Sequence, residues 1–120
     1  MMPFSRVLSG ALLVPFMLAL SIQSANAKQL TQSEIRAAMV GKPIFTRRFG
    51  MSVKMLYRSN GTVTAKALLG TVDGTWRAKG NRVCTTFPSG PAKGTSCVSY
   101  TKIGPNQYRT SEGVMFRVGG

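Results

Sequence analysis

From Ile44 onward apolar residues tend to fall on every second position, the period of a strand with one face turned inward. Val53, Met55 and Tyr57 alternate with Lys54 and Arg58, and Val63, Ala65 and Ala67 alternate with Thr62, Thr64 and Lys66. Between them stands Ser59-Asn60-Gly61. A two-residue loop there would set Arg58 against Val63 and mix the faces. A three-residue loop pairs Arg58 with Thr62, Tyr57 with Val63 and Met55 with Ala65, and leaves Gly61 in a left-handed bulge position. Gly80-Asn81 forms a two-residue turn that places Ala78 opposite Val83 and Trp76 opposite Thr85. A strand from Ser96 to Ile103 can pair with residues 82–87; if Cys84 faces Cys97 there, Val83 faces Val98 on the inner side and the disulfide crosses adjacent strands on the outer side. Gly104-Pro105-Asn106 turns the chain again. Ser111-Glu112-Gly113 brings Tyr108 opposite Phe116, and Val114, Phe116 and Val118 form a last alternating strand.

The segment before Ile44 has a different period. Thr31 and Glu34 stand three apart, as in a capping box, and Leu30 and Ile35 occupy the two staple positions. Ile35, Ala38 and Met39 share one face. Gly41 suits the left-handed helix end, and Pro43 stops the helix from resuming. The predicted architecture is therefore mainly β: a short helix over residues 32–40, laid on one opening or one face of the sheet, then an antiparallel meander of about eight strands. Such a meander makes a small up-and-down barrel or a strongly curved sheet, with a two-sheet sandwich as the alternative.

Residues 1–27 do not belong to that domain. Arg6 precedes a run from Val7 to Leu20 that is almost wholly apolar, and Ala25 and Ala27 stand where a signal peptidase reads small residues. The run is too short and too interrupted, by Ser9, Gly10 and Pro15, for a bilayer span of about 20 residues. The expectation is a signal peptide cleaved after Ala27, export to the periplasm or beyond, and a single domain over 28–120 that is not an integral membrane protein. In that oxidising space Cys84 and Cys97 form a disulfide rather than two free thiols.

Charge then becomes the chief clue. Residues 28–120 carry 15 Lys and Arg against Glu34, Asp73 and Glu112, a net charge of +12, and the chain has no His. Without His, a Ser-His or Cys-His nucleophile is excluded. Glu34 reads as a helix cap and Asp73-Gly74 as a turn, which leaves no carboxylate pair for acid–base work. Two Cys and three scattered acids make no ordinary zinc or calcium site. No catalytic residue, metal ligand or cofactor is assigned, and the expected class is a binding protein rather than an enzyme.

The candidate anion-binding residues are Lys54, Arg58, Lys66, Arg77, Lys79 and Arg82, all at outward strand positions. Lys54 opposes Lys66 and Lys79 opposes Arg82, and like charges across a strand pair oppose pairing. They read either as a solvated surface or as attraction to an acidic partner, either an envelope component or a protein. Nucleic acid is not expected, because Tyr57, Trp76, Tyr108 and Phe116 point away from the cations and export separates the protein from it. Met55 and those aromatics fill a core or line a ligand cavity. Arg47-Arg48 between Phe45 and Phe49 reads as a membrane-surface pattern or as an edge strand. The loop from Pro88 to Lys93 would suit an inhibitor of a secreted or envelope enzyme.

One resemblance adds to this. The Leu30-Thr31-x-x-Glu34-Ile35-Arg36 helix, Gly41-Lys42, the Ser59-Asn60-Gly61-Thr62 turn, Gly74-Thr75-Trp76, Gly80-Asn81-Arg82-Val83-Cys84, Cys97 and Tyr100 occur in that order. The pattern resembles small exported proteins of alpha-proteobacteria that are grouped as domains of unknown function. It implies a periplasmic address, and it transfers no catalytic residue.

Overall fold

The computed structural model describes residues 28–119; the expected signal peptide falls outside them. Helix α1 (Gln32–Met39) begins with both halves of the capping box. The Thr31 amide donates to Glu34 Oε1 at 2.8 Å, and the Glu34 amide donates to Thr31 Oγ1 at 3.3 Å. The Thr31 amide, and after it the Thr31 hydroxyl, hold the Glu34 carboxyl below its ordinary pKa.

Nine strands follow: β1 (Pro43–Arg48), β2 (Met51–Tyr57), β3 (Thr62–Ala67), β4 (Gly70–Lys79), β5 (Arg82–Phe87), β6 (Gly94–Val98), β7 (Tyr100–Gly104), β8 (Gln107–Thr110) and β9 (Met115–Val118). They form one antiparallel sheet in the order β6-β5-β4-β3-β2-β1-β9-β8-β7. The two edge strands are neighbours in the chain, separated by Ser99 alone. The seam is laced where the Ser111 amide donates to Ser99 O at 2.9 Å and the Ser99 amide donates to Ser111 Oγ at 3.1 Å. The sheet is a nearly closed barrel.

The register follows the turn chemistry. Tyr57 pairs with Val63, Met55 with Ala65, Ala78 with Val83, Trp76 with Thr85, Val83 with Val98 and Tyr108 with Phe116. The Arg58 amide donates to Thr62 O, and Gly61 takes φ +90° in the three-residue loop. Cys84 and Cys97 are bonded directly across β5 and β6. Three expectations need correction. The strand drawn from Ser96 to Ile103 is two strands, because the chain bends at Ser99 and leaves β5 to pair with β8. Asp73-Gly74 is not a turn but the middle of β4. Gly74 takes an inward position of β4, where a Cβ would run into the Thr86 carbonyl oxygen and, at 2.8 Å, the Phe87 ring. The chain turns instead at Leu68-Leu69, between the paired Ala67 and Gly70. Finally, β1 is no edge strand: it is hydrogen-bonded to β2 on one side and β9 on the other.

Helix α1 closes one opening of the barrel. Gln32 is tied to the β4–β5 turn through Asn81 Oδ1 and Gly80 O, the Gly41 amide donates to Tyr57 O at the end of β2, and the Leu30 amide donates to Tyr100 O on the far wall. Leu30, Ile35 and Met39 are thereby buried with Val63, Trp76, Val83, Tyr100, Tyr108, Phe116 and Val118. Trp76 meets Tyr57 edge-on and donates its indole N–H to Arg58 O at 2.8 Å, so its one polar atom is satisfied inside the core.

Candidate functional site

Two features stand out on this frame: the cations on the outer wall, and the opening opposite the helix. All six candidate anion-binding residues lie on strands β2, β3, β4 and β5 or at their ends, but they do not form one patch. Lys54 and Lys66 are directly opposed on β2 and β3. Arg77, Lys79 and Arg82 surround the disulfide on β4 and β5, where Arg77 pairs with Cys84 and Lys79 with Arg82. Arg82 Nη2 donates to Cys97 O at 2.7 Å. Thr71, the partner of Lys66 on β4, lies six residues from Arg77. At about 3.3 Å per residue that separates the groups by about 20 Å, twice the distance over which salt leaves charges coupled. Arg58 belongs to neither group. Its guanidinium donates to Thr64 Oγ1 at 2.9 Å, and Thr64 in turn donates to Asp73 Oδ1 at 2.9 Å, so its charge is aimed at the acid on that wall.

The Lys54–Lys66 pair belongs to a longer row with two members missed in the sequence. Arg117 on β9 opposes Phe45 on β1, Phe45 opposes Lys54, and Lys54 opposes Lys66. The Arg117 guanidinium lies 4.5 Å from the Phe45 ring centre, and Lys54 Nζ lies 6.0 Å from it on the other side. Phe45 is thus an outward aromatic held between two cations, a geometry worth about 0.5–1 kcal/mol per exposed contact. Its placement was readable from alternation alone, since Ile44 points inward. Arg47 stands one outward position further on. Its guanidinium is fixed by Ser52 Oγ at 3.1 Å and Gly50 O at 3.2 Å.

The far opening is uncovered. The turns at Phe49-Gly50, Leu68-Leu69 and Ser111-Gly113 gather there with the loop 88–93. A cavity of about 350 Å³ enters the barrel between Met55, Tyr57, Thr85, Phe87, Val98 and Phe116. A second lobe of about 270 Å³ lies beside it against Met55, Ala65, Val72 and Phe87, under Gly90-Pro91-Ala92. Both lobes reach Arg48 and Phe49 at the mouth. The interior is therefore core at the helix end and cavity at the other. The cavity floor is a hydroxyl cluster in which Tyr57 Oη and Thr85 Oγ1 stand 3.2 Å apart. Burial pushes the Tyr57 and Tyr100 phenols well above their ordinary pKa, so both are neutral. No three His, Cys, Asp or Glu side chains converge among the described residues.

No protein-family model, curated protein or solved structure matches this chain. The chemistry of its own surfaces is what bears on function.

Proposed function

We propose that the protein is an exported, non-enzymatic binding module whose outer wall docks on an acidic component of the cell envelope. The observation that carries this reading is the row Arg117–Phe45–Lys54–Lys66. Three cations stand in one row, Lys66 and Lys54 directly opposed on neighbouring strands about 4.8 Å apart and Arg117 two strand steps from Lys54 across Phe45. Cross-strand repulsion opposes folding and is relieved by a bound anion, whereas cations used only for solubility have no reason to share a row. Phe45 adds an apolar contact at the centre. The rows around Arg77, Lys79 and Arg82 supply a second, independent site of the same sign. Export rests on the N-terminal segment and fits the Cys84–Cys97 disulfide.

Retention on heparin and on anionic vesicles, measured as salt is raised, tests the proposal. A Lys54→Glu/Lys66→Glu variant is expected to elute at markedly lower salt than a Lys42→Glu/Lys102→Glu variant of equal net charge. Equal elution of the two would show that total charge alone is at work, and no retention of the wild type at low salt would reject the reading outright.

A further inference from the structure

The open end of the barrel does not take part in that outer-wall reading, and its construction calls for a separate occupant. We propose that it is a binding site for a single long acyl chain bearing an anionic head group, with the chain inside the barrel and the head at Arg48. Four observations lead there.

The first is shape. Two lobes of about 350 and 270 Å³ share Met55, Phe87, Pro91, Ala92, Arg48 and Phe49, so they lie against each other behind one mouth and together make the proposed space. Its size lies within the range of about 300–1,000 Å³ for small-molecule sites. The second is lining. Ile44, Met55, Ala65, Val72, Phe87, Val98 and Phe116 form its walls, and the hydroxyls at its floor are engaged with one another. Nothing deep inside asks for a polar ligand end, which suits a methyl terminus.

The third is charge at the mouth. Arg48 occupies the inward track of β1, two residues beyond Thr46, and lies at the rim of both lobes, with Lys93 on the facing loop. Glu112 is also at the rim, but its carboxylate accepts from Ser96 Oγ at 3.3 Å on the seam side. The head group therefore belongs on the Arg48 side. The fourth is backbone strain. The β1–β2 turn has two residues with positive φ, +54° at Phe49 and +75° at Gly50. Such a turn favours Asn-Gly, and a bulky residue in the first position is conformationally costly. Here that position holds a phenylalanine, 56 % exposed, at the cavity mouth. Beside it in the adjacent hairpin turn Leu68 and Leu69 are 93 % and 82 % exposed. An aromatic kept where the backbone disfavours it, among other bare apolar tips, fits a ligand entering from an apolar phase.

The test is a calorimetric titration with saturated fatty acids of 8 to 14 carbons, each below its micellar concentration. Affinity is expected to rise about fourfold per added methylene until the space is full, then level off. A primary alcohol of the same chain length is expected to bind at least tenfold more weakly. Phe49→Asn is expected to leave thermal stability unchanged or raised while weakening binding several-fold, and Met55→Trp to abolish binding by filling the space. Lys54→Glu/Lys66→Glu is expected to bind the acids as the wild type does, so the outer-wall reading and this one fail independently. Incubation with vesicles that contain lysophosphatidylglycerol, an anionic membrane lipid with one acyl chain, supplies a second arm. Lipid carried with the protein after gel filtration identifies a membrane lipid as the source of the chain, and its absence beside fatty-acid binding identifies the free acid. Absence of saturable binding in both arms, affinity independent of chain length, or loss of binding in the lysine variant with Phe49→Asn unaffected would each overturn the proposal.

Discussion

The two ends of the barrel are made by the same strands, yet one is sealed and the other hollow. On β3, Val63 is fully enclosed, while Ala65, the next inward residue, is only half-buried. On β5, Val83 is buried and Thr85 is half-buried. Both members of each pair point inward, so alternation does not distinguish them. What differs is volume and cover. The helix end places Trp76, Tyr108 and Val118 beneath Ile35 and Met39. The open end has Ala65, Ala67 and Val72 on its inward tracks, roofed by Gly90-Pro91-Ala92. Period tells which side of a strand faces in, whereas side-chain size tells whether the inside is filled.

The largest effect expected from this contrast is at Trp76. Trp76→Ala is expected to cost ~3–5 kcal/mol in denaturant unfolding, through the void it leaves in the core. Met55→Ala, on a half-exposed cavity wall, is expected to cost under about 1.5 kcal/mol. Equal losses would mean that the open end is packed like the sealed one. Next comes the disulfide, which braces the two strands carrying the mouth loop. Cys84→Ser/Cys97→Ser is expected to lose ~3 kcal/mol, with proteolysis of the loop 88–93 rising before the helix end opens. Cleavage that begins near Gln32 would reverse the order of stability assigned to the two ends. A smaller loss, ~1 kcal/mol, is expected for Thr31→Ala, which removes the cap of the sealing helix. Circular dichroism melting measures it.

The smallest effect is one of pH. Tyr57 and Tyr100 have folded pKa values raised above the ordinary value near 10 by burial. The neutral phenols contribute stability in full below that value, and the contribution is lost as pH rises from it towards the raised one. Absorbance at 295 nm is expected to show these two phenols ionising only as the protein unfolds, with Tyr57→Phe removing one from the late phase. Full ionisation of the native protein near pH 10 would place the cavity floor in water.

Much of this fold was legible in the sequence because its turns carry chemistry. Ser59-Asn60-Gly61 and Gly80-Asn81 each admit one loop length that keeps apolar residues on a common face, and the three-residue turn at Ser111-Glu112-Gly113 sets the Tyr108–Phe116 pairing in the same way. The misreadings have physical causes. Asp-Gly favours a turn locally, yet Gly74 is needed where Phe87 crosses β4, so long-range packing overrides local preference. Leu68-Leu69 has no turn chemistry at all and turns because the strands on either side pair. The bend at Ser99 comes from barrel closure, which no local pattern encodes. The six cations were visible as outward residues, but the separation of Lys54 and Lys66 from Arg77, Lys79 and Arg82 depends on distance along β4, and Arg58 stands apart from both. The importance of Phe45 depends on Arg117, which is far from it in sequence and adjacent to it across the sheet. The mouth at Arg48 and Phe49 exists only once four turns have met.

Methyl NMR of the protein with [¹³C]methyl-methionine, titrated with dodecanoate, most directly tests a barrel sealed at one end and receptive at the other. Met39 lies in the closed core and Met55 on the cavity wall, so each reports on one end. The expected result is a saturable shift of the Met55 methyl with the Met39 methyl unmoved. A Met55 signal that stays fixed under dodecanoate concentrations that saturate no other methyl, or one that shifts together with Met39, would contradict the division of the barrel.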